Sequence, residues 1–273
     1  MFTPSKALKI LLALLLLPLS ISAASFGLNP ISDAFVTPGP ANDLSTNNYG
    51  GAGALSLAGT SSAKGQFQSV LQFDLSSAKN SFDTSLGAGQ WNIQSVTLRL
   101  TSTSPQNPIF NTSAAGQFGV LWMQNDSWVE GSGNPGAPGT SGITFNSLQG
   151  SFVSPGDQNV GTFAYNGALS GNSTYTLTLA SQLSNEVLNG SIMSLRMAPA
   201  DSTVSYLFDS RDFINASLRP LLTINVTAVP EPGVWSLLAL GFFTALVFWP
   251  KRSTNQPCLK SQPIKIRDRS PRC

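Results

Sequence analysis

Along the middle of the chain, apolar residues recur at every second position in short runs separated by clusters of Gly, Ser, Asn and Pro. The pattern is cleanest in residues 95–101, where Val96, Leu98 and Leu100 alternate with Thr97, Arg99 and Thr101. Successive side chains of an extended chain point to opposite faces, so one face of this segment packs in a core and the other meets water. Alternating or β-branched runs predict strands at 34–37, 54–58, 66–75, 91–102, 117–123, 161–165, 173–179, 191–197, 204–209 and 221–227. Many short strands broken by turn residues predict an all-β fold, an antiparallel sandwich. One short helix is predicted at 181–188, where Leu183 and Val187 fall four apart on one face and Gly190 supplies a stop. Residues 131–142, rich in Gly and Pro, read as a loop inside the domain. No repeat of about 20 to 50 residues is visible, which disfavours solenoids and propellers.

Two apolar stretches break the pattern, one near each end. Residues 10–19 follow Lys6 and Lys9 and lead into Ser20, Ser22, Ala23 and Ala24. A basic start, a short apolar run and a small-residue exit predict a signal peptide over residues 1–24, cleaved after Ala24. The run is far shorter than the ~20 residues a spanning helix needs. Residues 233–249 carry no charge and are followed by Pro250, Lys251 and Arg252. At ~1.5 Å per residue they reach about 25 Å, enough for a single transmembrane helix with slight thinning of a core about 30 Å thick. Excess Lys and Arg after the helix places residues 253–273 in the cytoplasm as a basic tail, with the body, residues 25–228, exported. Both cysteines, Cys258 and Cys273, fall in that tail, so the exported body has no disulfide and depends on core burial.

The overall charge of +2 hides a body with eleven acids against six bases, net −5. Its bases are not clustered, which argues against nucleic acid as a partner. The chain contains no His. That removes the usual general base and the Ser-His and Cys-His nucleophile pairs, and with them most familiar hydrolase mechanisms. No cofactor is expected, although the oxygen-rich loops at Asp33, Asn42, Asp43 and Asn47 could hold a structural calcium ion.

Immediately before the apolar helix stand Pro230, Glu231 and Pro232. Prolines lock φ and keep such a segment extended and open to a protease. This tripeptide, the helix and Lys251-Arg252 together, residues 229–252, resemble the bacterial PEP-CTERM sorting signal. The resemblance implies recognition by an exosortase-type membrane protease and delivery to the cell surface or extracellular matrix. The tail continues 21 residues beyond Arg252, further than such signals usually do.

A second resemblance lies in the body. Asp33-Ala-Phe-Val36, Asn48-Tyr-Gly-Gly51, Leu71-Gln-Phe-Asp-Leu75 and Val96-Thr-Leu-Arg-Leu100 follow one another in order. Asn125-Asp-Ser-Trp-Val-Glu-Gly131, Gly142-Ile-Thr-Phe-Asn146, Leu207-Phe-Asp-Ser-Arg-Asp212 and Arg219-Pro-Leu-Leu-Thr-Ile224 come after them. Their order and spacing are similar to DNRLRE-type domains, with Phe145 standing where that family often has Trp. The resemblance implies a jelly-roll β-sandwich of the kind found in carbohydrate-binding modules of bacterial surface proteins.

Trp128, flanked by Asp126 and Glu130, is the candidate glycan-binding group. An aromatic face stacks on the C–H face of a sugar while carboxylates accept its hydroxyls, but core packing is the reading preferred for the ring. Two nearby carboxylates also allow acid–base hydrolysis of a glycosidic bond. Asp209, Arg211 and Asp212 read either as a polar ligand site or as an ion pair that fixes a loop. The expectation is a non-enzymatic exported surface or matrix protein that binds polysaccharide. The alternatives are a polysaccharide-degrading enzyme and a purely structural coat component.

Overall fold

The computed structural model describes residues 22–103, 110, 116–164, 171–229, 241, 242 and 244. Among them, eleven strands form two antiparallel sheets. They are β1 (Ala23–Leu28), β2 (Ser32–Val36), β3 (Ala54–Ala58), β4 (Gln68–Asp74), β5 (Trp91–Ser102), β6 (Gln117–Met123), β7 (Gln158–Ala164), β8 (Gly171–Leu177), β9 (Ile192–Pro199), β10 (Ser205–Asp209) and β11 (Leu221–Ala228). One sheet runs β1-β11-β5-β10-β3 with β8 also on β5, and the other β2-β4-β9-β6-β7. The expected all-β sandwich is present.

β5 organises the first sheet. It pairs with β11 from Trp91 to Arg99 and with β8 from Val96 to Ser102. Ser95 lies opposite Asn225 but Ile93 lies opposite Val226, so Gln94 is an extra residue. One inserted residue switches the parity of a strand. That is why Trp91 and Ile93, at odd positions, pack in the same core as Val96, Leu98 and Leu100. From the second sheet Leu71, Phe73, Val120, Trp122, Leu195 and Met197 meet them, and Phe118 lies edge-on to Tyr175 with ring centroids 5.3 Å apart.

The chain has more helix than the one short segment expected. The segment after Ala180 forms as read: α3 (Ser181–Asn189) buries Leu183 and Val187 and ends at Gly190, which is left-handed with φ 67°. An additional helix, α1 (Ser76–Leu86), closes one open end of the sandwich with Ala78 and Phe82, against Trp91 and Phe26. Its first turn is held by Asp74, whose Oδ1 accepts from the Ser76 amide at 2.9 Å. A single turn, α2 (Phe145–Ser147), begins with a Thr144–Ser147 capping box and runs on into the π turn Leu148–Phe152.

A further departure from simple alternation concerns the outer face of the second sheet, which is covered. The connection from β6 to β7 folds back over it, laying Trp128, Ile143 and Leu148 on Ala34, Val36, Val70 and Met123. β4 is accordingly buried on both faces for nearly its whole length.

β1 also lies outside the expected strands, and it begins where the signal peptide is expected to end. Ala23 and Ala24 stand opposite Thr227 and Val226, and the Ala228 amide donates to Ser22 O at 2.8 Å. A chain cut after Ala24 keeps the four pairs from Ser25 to Leu28. The contacts of the chain divide it into one unit that ends at Val229 and another that starts at Pro230. The signal peptide up to residue 21, Pro230, Glu231, Pro232, nearly all of the span at 233–249, Lys251, Arg252 and the tail lie outside the described residues. Among the described residues, no helix is long and apolar enough to cross a membrane.

Candidate functional site

The residues singled out around Trp128 do not form one site: Trp128 and Asp126 both meet Ser194, while Glu130 goes to Arg211. Trp128 is 3% exposed, and its Nε1 donates to Ser194 Oγ at 2.9 Å. Trp128 belongs to the second core cluster, so the indole is no exposed platform for a sugar. The ring lies in the core, the reading preferred for it over sugar stacking.

Glu130 turns the other way and binds Arg211. Arg211 Nε and Nη2 donate to Glu130 Oε1 and Oε2 at 2.8 and 2.7 Å, a bidentate fork. Oε1 also accepts from the Asp33 amide at 2.9 Å, and the Arg211 amide donates to Asp33 Oδ2 at 2.7 Å. Asn48 completes the cluster. Its Nδ2 donates to Glu130 O at 2.6 Å and Ile143 O at 2.7 Å, and its Oδ1 accepts from the Gly50 and Gly133 amides. Backbones run so close here that a Cβ on Gly50 would sit 2.3 Å from Glu130 O. Gly131, at φ +78°, has no room beside Asn48 either. Five of the sequence segments that carried the second resemblance therefore meet in one latch, which fixes the β6–β7 connection to β2 and to the loop after β10.

The latch accounts for Arg211, read earlier as a ligand or loop-fixing group: its main partner is Glu130, with Asp212 at 3.8 Å. Asp209 accepts from Thr103 Oγ1 at 3.0 Å. Of the oxygen-rich loop positions, Asp33 is committed to the latch and Asn47 Nδ2 donates to Tyr49 Oη at 3.2 Å. Among the described residues, no three His, Cys, Asp or Glu side chains gather as a metal site.

Asp126 is half-buried at the edge of a cleft of about 820 Å³, with Gln72, Gln124 and Ser154. The acid that senses its charge is Glu186 on α3, which four-residue spacing could not reveal. Glu186 Oε2 accepts from Trp122 Nε1 at 2.7 Å. Burial pushes Glu186 up to about 8, with Asp126 adding to the rise and Trp122 opposing it. Burial raises Asp126 as well, partly offset by Ser194. Gln72, Gln124 and Glu186 escaped the sequence reading because polar residues on outward strand positions and helix faces carry no mark of a cleft. A second cleft, of about 630 Å³, is bordered by Phe35, Tyr49 and Phe67. Its rings are spent on one another, with Phe35 stacked on Tyr49 at 4.7 Å.

The raised acids make stability depend on pH. Asp33 is 1% exposed, and burial lifts it from the ordinary 3.8 to about 7 against the Arg211 amide, with Glu130 and Asp212 adding to the rise. A carboxyl raised by folding holds a proton that the unfolded chain releases. Its stabilising contribution is therefore complete in acid and is lost as pH climbs through the folded value. The melting temperature should fall between about pH 4.5 and 8, then level off. Thermal melts across that range test this, and Asp33→Asn with Glu186→Gln should flatten the curve. A melting temperature that rises with pH would contradict it.

No protein-family model matches this chain, and no curated protein matches it.

Proposed function

We propose that this protein is a non-enzymatic component of the cell surface or extracellular matrix. It is exported by its signal peptide, sorted through Pro230-Glu231-Pro232, the apolar span and Lys251-Arg252 by an exosortase-type protease, and binds polysaccharide with a jelly-roll-like sandwich. The observation that carries this reading is the boundary between the two units of the chain, which falls between Val229 and Pro230. The last ladder residue is Ala228, and the Val229 amide still donates to Gln90 O at 2.9 Å. The Pro-Glu-Pro tripeptide begins at the next residue. A protease acting there would release a body that retains every strand found among the described residues and their core, as a sorting signal requires of its cargo. A degradative role draws less support, because Glu130, half of the carboxylate pair it needed, is neutralised by Arg211.

The sorting reading is tested by producing the chain in bacteria with and without an exosortase-type protease. Mass spectrometry of the surface form should lack peptides from residues 237–248 only where the protease is present. Recovery of those peptides in both strains would refute sorting by this tail.

A further inference from the structure

We infer that the cleft beside Asp126 is the binding site for a neutral saccharide; this rests on the reading that the body binds polysaccharide and gives that binding a place. The cleft is built from three separate parts of the chain: Gln72 on β4, Ile192 at the start of β9, and the two ends of the β6–β7 connection. Its polar groups are oriented beforehand. Gln72 is only 8% exposed, and its Nε2 is committed to Asp126 O at 2.7 Å. That fixes the amide and leaves Oε1 as an acceptor on the cleft wall. Gln124 is fixed in the opposite sense: its Oε1 accepts from Ser154 Oγ at 2.7 Å, leaving Nε2 as a donor. One immobilised acceptor and one oriented donor suit a ligand whose hydroxyls both give and accept.

Asp126 also lines the cleft, but its Oδ1 is shut from solvent and its carboxyl is held by Ser194, so it sets the charge of the site and offers no free oxygen to a ligand. Val153, Pro155 and Ile192 add aliphatic surface to the same cleft, matching the C–H face of a sugar ring.

Charge narrows the class. No Lys or Arg lines the cleft among the described residues, so a uronate, phosphate or nucleotide would face Asp126 without a counter-charge. Burial also holds the Asp126 carboxyl toward its neutral form, which weakens any pull on a cation.

The test uses the full chain in a sugar-free detergent, passed over immobilised neutral β-glucan, galactomannan and xylan, with alginate as the anionic comparison. Retention is expected on at least one neutral polymer and not on alginate. Gln72→Ala and Gln124→Ala should each weaken it about fivefold, the loss of one hydrogen bond. Ile192→Asp should abolish it, and Ile214→Ser, at an exposed position elsewhere, should leave it intact. Gln124 is exposed, so its variant carries the test if Gln72→Ala disturbs folding. Normal retention of all three cleft variants would overturn the cleft while leaving polysaccharide binding standing. Retention on alginate alone would overturn the neutral class. No retention of the wild type on any polymer would remove the broader reading and the cleft with it.

Discussion

Trp128→Ala should destabilise the body by about 3 to 5 kcal/mol, the usual cost of emptying a large aromatic site in a core. For a domain near 200 residues this lowers the melting temperature by roughly 6 to 20 °C. The expectation follows from the enclosure of the indole among Ala34, Val36, Val70, Ile143 and Leu148, and from the Ser194 hydroxyl that loses its donor. Trp128→Phe keeps most of the volume and gives up the hydrogen bond, so its loss should be nearer 1 kcal/mol. Melting followed by circular dichroism separates these values. A shift within about 0.5 kcal/mol for the alanine variant would mean an exposed ring and would restore the stacking role.

The second large effect is expected at the latch. Arg211→Met leaves the Glu130 carboxylate, 13% exposed, without its fork and beside the buried Asp33. Breaking one side of a buried pair costs about 3 to 5 kcal/mol. Because Arg211 keeps a third of its side chain in solvent, about 2 to 4 kcal/mol is expected here. Glu130→Gln combined with Arg211→Met should recover much of that loss, since no charge is then stranded. Chemical denaturation of the two single variants and the double variant closes the cycle. Additive losses would show that the two side chains do not act as a pair.

What the chain pattern revealed depended on how far each feature reaches. Strands with several alternating positions, such as β5 and β11, were legible because burial on one face leaves a mark every second residue. β1 was not, since Phe26 and Leu28 are its only large apolar residues and they adjoin the expected signal peptide. α1 was hidden by composition: Ser, Asn, Asp and Thr dominate a segment whose only helical mark is the spacing of Leu75, Ala78, Phe82 and Leu86. The candidate site failed for a different reason. Asp126 and Glu130 are four residues apart on an irregular connection, and proximity in sequence there gives no proximity of side chains. One lines the cleft; the other reaches Arg211, 81 residues away. The segments that form the latch were each visible, yet alternation and turn chemistry are local and could not show that they converge.

The pairing of β1 with β11 places the start of the body beside its end, Ser25 facing Asn225. In three dimensions the body is thus almost a closed ring of chain whose opening lies at one edge of a sheet. Joining residue 229 to residue 25 by a short linker, and reopening the ring within 134–138 at the exposed loop, would keep the four pairs from Ser25 to Leu28 and every other named-strand ladder, at the loss of the small Asn134–Ala137 bridge. A circular permutant of this kind should fold, because the order in which latch and cleft are written along the chain matters less than the neighbours each strand keeps.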